Sequence, residues 1–164
     1  MPISNHYASG YLSHTFFGDT IESPSHISIA LTNSPVTVGQ SGATISEIVQ
    51  DVSGEDTGYR RCSLGAPSQS GVHMWKFRVY DVEDASGNLV EANVTDSGTL
   101  TNVNTLKFGR CLQSWGDIVA VAVMDSSSRG EGKVVASANL KEARQSVQGD
   151  NFVFDPEDLH ISYN

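Results

Sequence analysis

Basic residues, cysteines and long apolar runs are all scarce in this 164-residue chain. Ten Lys+Arg stand against 19 Asp+Glu, a formal net charge of −9. Phosphate neutralisation needs a basic surface, so nucleic acid is excluded as the main partner. Charge of either sign is thin, at 18% of residues against 38% hydrophobic. A disordered acidic tail would show the opposite balance. No apolar run approaches the ~18 residues of a membrane span, so no membrane partner is expected. The opening Met1-Pro2-Ile3-Ser4-Asn5 lacks the basic region and apolar core of a secretory leader, so cytoplasmic synthesis is expected.

Cys62 and Cys111 are the only cysteines. Without CxxC or Cys-x-His clusters, a structural zinc site is not expected. One disulfide is open geometrically, but a chain made in a reducing compartment keeps its thiols free. Two small half-buried hydrophobes are the plainer reading. The five histidines are scattered, with no carboxylate at ligand spacing, so no metal or other cofactor is implied. Asp125, Ser127, Glu131, Asp150, Asp155 and Asp158 offer oxygen ligands, but without EF-hand spacing they read as solvated loops.

Catalytic patterns are missing too. There is no GxSxG elbow and no phosphate-binding glycine loop. The pairs Glu83/Asp84 and Glu157/Asp158 lie beside turn residues, where exposed acids are the default. The sequence names no catalytic residue and reads as a non-enzyme.

What is present favours strands. Val and Ile total 25 against 9 Leu, and β-branched chains suit a pleated surface. Ile27, Ile29 and Leu31 alternate with small or polar residues, a strand with one buried face. Residues 36–58 read as a long loop with a helical turn near 44–50. Val72–Val82 alternates and returns through residues 89–95, a hairpin. Ile118–Met124 is apolar throughout, which predicts a strand covered on both faces. Lys133–Leu140 pairs back on it. Phe152–Phe154 and Leu159–Tyr163 complete the set. The expected fold is all-β: a single-domain antiparallel β-sandwich or jelly-roll-like body over residues 19–164. A helical segment, residues 1–18, precedes it. There Tyr7, Ala8, Tyr11, Leu12 and Phe16 recur at helical intervals, with Ser4 as N-cap and Gly18 as stop.

A further pattern runs through Trp115-Gly116-Asp117-Ile118-Val119, Val123-Met124-Asp125, Gly132-Lys133-Val134-Val135, Leu140, Gly149-Asp150, Phe152 and Asp158-Leu159. It resembles a family of small structural proteins of tailed bacteriophages. Ile27–Thr32 and Tyr59-Arg60-Arg61 agree with the same family. The middle of this chain, 65–105, is longer than the pattern, and Asn139-Leu140 replaces a Gly/Ala-Leu stretch. Members often carry a tail-fibre label. The resemblance implies a virion component and gives Trp115, Gly116, Asp125 and Asp158 fold-bearing roles. Trp115 and Gly116 would start the central strand, with the glycine passing close to the ring. Asp125 and Asp158 would cap turns.

The first functional expectation is a capsid cement or decoration protein on the capsid surface of the virion. It would bind the major capsid protein and other virion proteins as a homo-oligomer, a dimer or trimer. The alternative is a tail, neck or fibre-attachment protein, or a receptor-binding module using Trp75 and Tyr80. Tyr7, Tyr11, Phe16 and Phe17 supply more aromatic surface than a short helix needs. They are the candidate docking residues, unless the helix covers an open end of the sandwich.

Overall fold

This computed structural model describes residues 4–21, 23–37, 39–67, 75–77, 80–83, 86–87, 89–92 and 99–162. A helix, α1 (Asn5–Phe17), precedes β1 (Ile27–Thr32), β2 (Asp51–Val52), β3 (Glu55–Asp56) and β4 (Cys62–Gly65). Next come β5 (Trp75–Phe77), β6 (Tyr80–Glu83), β7 (Leu89–Ala92), β8 (Thr99–Asn102) and β9 (Leu106–Arg110). The last third holds β10 (Gly116–Met124), β11 (Val134–Ser146), β12 (Asn151–Phe154) and β13 (His160–Ser162).

The apolar run in β10 works as its composition predicts. It lies inside an antiparallel sheet of order β11-β10-β1-β4 and is covered on both faces. Val121 and Val123 point with Ile29 and Leu31 into the main core. Ala122 and Met124 point the other way, with Ala30, Ile45 and Val134. The register pairs Ile29 with Val123 and Leu31 with Val121, so each face is built from cross-strand neighbours.

The second layer is broken into small sheets, β12-β9 and β13-β8-β5. Phe108, Phe152 and Phe154 fill the gap between the layers, with edge-to-face rings and centroids 5.4–5.9 Å apart. Trp75 and Ile161 pack on the same core from the three-stranded sheet. The result is one all-β domain of packed antiparallel sheets with a short N-terminal helix.

Several elements depart from the sequence expectation. The alternating segment 72–82 supplies two strands to different sheets. β5 pairs with β8, while β6 pairs with β7 as the expected hairpin. Residues 72–74, 78–79, 84–85 and 93–98 of that stretch lie outside the described residues. The 36–58 loop contains the small β2-β3 pair, joined through Ser53 and Gly54. β8 has no apolar alternation to announce it. β11 runs on past Leu140 to Ser146, and the pairing with β10 slips between Ile118 and Ala120. Its exposed outer half, Lys141–Gln145, is polar and carries no period-2 signal.

Candidate functional site

Ser4 precedes α1 in extended conformation, and Gly18 ends it at φ +73 with its N–H donating to the His14 carbonyl. Glycine suits that left-handed stop. No residue of α1 is buried. The apolar face expected at Tyr7, Ala8, Tyr11, Leu12 and Phe16 therefore has no core beneath it. Phe16 is 74% and Phe17 80% exposed, Tyr11 and Leu12 are about half exposed, and Ile21 in the following segment is exposed too.

The first turn sits on the body. The Tyr7 hydroxyl donates to Asp125 Oδ2 at 3.1 Å. His6 Nε2 lies 3.1 Å from Lys133 Nζ, and the Ser4 N–H donates to the Val135 carbonyl at 2.7 Å. Burial, then the Asp125 charge and hydrogen bond, push the Tyr7 phenol well above its usual range. His6, Tyr7, Ser13, Thr20 and Ile21 line an open groove of about 360 Å³. It is a shallow surface, with no convergent catalytic groups.

Asp125 does two jobs at this seat. Its Oδ1 accepts the Lys133 N–H at 2.6 Å, closing the β10–β11 hairpin, while Oδ2 holds Tyr7. Asp158 Oδ2 accepts the Asp155 N–H at 2.9 Å in the turn before β13. Trp115 is buried, donates its ring N–H to the Thr57 carbonyl at 2.8 Å and meets Tyr59 edge-on. Gly116 has φ +72, and a Cβ there would meet only Asn33 Nδ2 at 3.6 Å. At that φ a glycine is the residue the backbone favours.

A buried polar cluster among the described residues left little trace in the sequence. Arg61 and Glu47 form a buried two-pronged ion pair, with Nε–Oε1 at 2.8 Å and Nη2–Oε2 at 2.7 Å. The Tyr59 hydroxyl donates to Glu47 Oε1 and accepts the Leu31 N–H, both at 3.0 Å. Arg61 Nη1 donates to the Ser126 and Glu131 carbonyls. Arg129 donates back to the Ile48 and Glu47 carbonyls. A Cβ on Gly42 would run into the Glu131 carbonyl, so the 41–48 loop and the β10–β11 hairpin touch backbone to backbone. Burial first, then the Glu47 charge, push the Tyr59 phenol well above its usual range. The one available signal was a charged residue flanked by apolar ones, Ile45-Ser46-Glu47-Ile48. This cluster locks loops together.

Cys62 and Cys111 are free and buried. Burial pushes the Cys62 thiol up, partly offset by a backbone hydrogen bond from Lys107. Trp75 is half-buried against the core instead of standing out as a ligand platform, and the Tyr80 side chain lies outside the described residues.

Among curated proteins, none matches the chain. A family described as podophage GP4 fiber I protein gp80 matches it over residues 2–162. That description names a phage structural protein, as the sequence resemblance implied, and favours the tail-fibre alternative over capsid cement. The match spans helix, seat and body alike, and the chain belongs to this Gp80 family of podophage fibre proteins.

Proposed function

We propose that this chain is a non-enzymatic structural component of a phage tail-fibre apparatus, built into the virion through α1. The family match supports the fibre placement and draws the location away from the capsid surface. The uncovered aromatic surface of α1 carries the assembly role. Phe16, Phe17, Tyr11 and Leu12 are exposed on a helix that has no fully buried residue. Contiguous apolar surface of this kind marks an interaction site. Tyr7 anchors the helix, and the partners are other virion proteins and copies of the chain. Residues 1–18 serve as the assembly segment and 19–164 as the body.

Gel densitometry of purified particles against the major capsid band tests the placement. A copy number far below that of the capsid protein is expected. A ratio near that of the capsid protein would restore the cement reading. Deleting residues 1–18 tests the role of α1. The β-type circular dichroism spectrum should persist while incorporation into particles is lost. A truncated chain that fails to fold would make the helix a lid on the sandwich.

A further inference from the structure

We infer that α1 is an exchangeable arm, seated on the β10–β11 hairpin of a second copy of this chain. The inference rests on the reading of α1 as an assembly element and names its first partner.

Four observations carry it. First, the seat is small and polar. Ser4, His6 and Tyr7 meet Val135, Lys133 and Asp125, and each of those partner groups exists on any other copy. Second, the seat is held by few bonds. The Ser4 side chain makes no capping bond, and its enclosed Oγ has no hydrogen-bond partner among the described residues.

Third, the connection is a hinge. Residues 18–26 follow α1 with Gly18 in the left-handed region and Pro24 fixing an extended step. Fully stretched, they reach roughly 30 Å, enough to carry the arm to a neighbour.

Fourth, the exposed surface lies at that hinge. Phe16 and Phe17 immediately precede Gly18. When two chains exchange arms, their hinges cross at the two-fold axis, and the residues beside the hinges meet their symmetry mates. Phe16, Phe17, Tyr11 and Leu12 expose on the order of 500 Å² per copy. A reciprocal pair removes about twice that from water, near the lower bound of a specific interface. Charge points the same way. The chain carries −9, yet Asn5–Phe17 contains no Asp, Glu, Lys or Arg. Two acidic copies can approach along this segment without setting carboxylate against carboxylate.

The test uses full-length chains with one new cysteine each, His6→Cys on one and Lys133→Cys on the other, differently tagged and co-expressed. Cys62 and Cys111 are buried and stay out of the reaction. A short bismaleimide is then added. The inference predicts a covalent heterodimer at twice the chain mass, joined between Cys at 6 and Cys at 133. A chain carrying both substitutions supplies the alternative outcome. If it links only within itself and the mixture gives no heterodimer, the arm folds back on its own body and the inference is overturned. Absence of linkage in both preparations overturns it as well, because then no copy seats the arm. Capture of a different virion protein by the His6→Cys chain would place the seat on that protein instead. Loss of particle incorporation with intact exchange, or the reverse, separates this inference from the assembly reading it builds on.

Discussion

Glu47 and Arg61 are sealed in the body with side chains 1% and 0% exposed, while on the helix Phe16 and Phe17 stand in water. The two regions invert the usual rule. Charges are inside where loops must be fixed, and aromatics are outside where a partner must be met. Each inversion has a physical reason. Besides bonding each other, the buried pair bonds Tyr59 and the Ser126 and Glu131 carbonyls, so each of its polar atoms has a partner, which offsets much of its desolvation. Phe16 and Phe17 of the helix stay largely in water instead, 74% and 80% exposed. Body stability and assembly should therefore respond to different mutations.

The strongest test of that separation is Glu47→Ala. It leaves the Arg61 guanidinium buried and unpaired, at a cost of about 3–5 kcal/mol. Urea unfolding should show a large drop in midpoint. A change under about 1 kcal/mol would mean that water reaches the pair and the body is not sealed there.

Tyr59→Phe comes next. It strands the Leu31 N–H and one lone pair of Glu47, for about 1–3 kcal/mol. It also changes the alkaline limb of stability. The folded phenol has a raised pKa, so its contribution is complete below the ordinary tyrosine value of 10.0. Above that pH the unfolded chain releases the proton and the folded chain holds it, so stability falls as pH rises. The Phe variant should lose less stability between pH 9 and about 11 than the parent. Equal slopes would remove Tyr59 from the account.

Gly116→Ala should cost about 1–2 kcal/mol, because φ +72 is unfavourable for any side chain. Thermal unfolding measures it. A neutral result would show that the start of β10 can shift its backbone angle.

The sequence was legible where period and burial coincide. The continuous run Ile118–Met124 identified the two-sided strand, and the alternation at Ile27–Leu31 identified its neighbour. Both lie where side chains pack on cross-strand partners, so pattern and contact agree. Legibility failed where a residue's role depends on a distant chain segment. Glu47 and Arg61 look like solvated charges until the 41–48 loop closes over them. The exposed half of β11 has no pattern because no core selects its residues. At the candidate site, the aromatic excess of α1 was readable. Its anchoring was not, because Tyr7 and Asp125 are 118 positions apart. Gly116 was legible as a residue, but its positive φ was not, because a sequence shows the glycine and not the backbone angle.

The smallest expected effect on stability belongs to the arm, and it tests the central claim most directly. In the full-length chain, Phe16→Ser with Phe17→Ser alters two solvent-facing side chains outside the core. Stability should change by less than about 0.5 kcal/mol. The measurement is the amount of tagged double variant incorporated into purified particles during infection, set against its urea midpoint. The account predicts an unchanged midpoint and loss of incorporation. Incorporation at the parent level, with the midpoint unchanged, would contradict it.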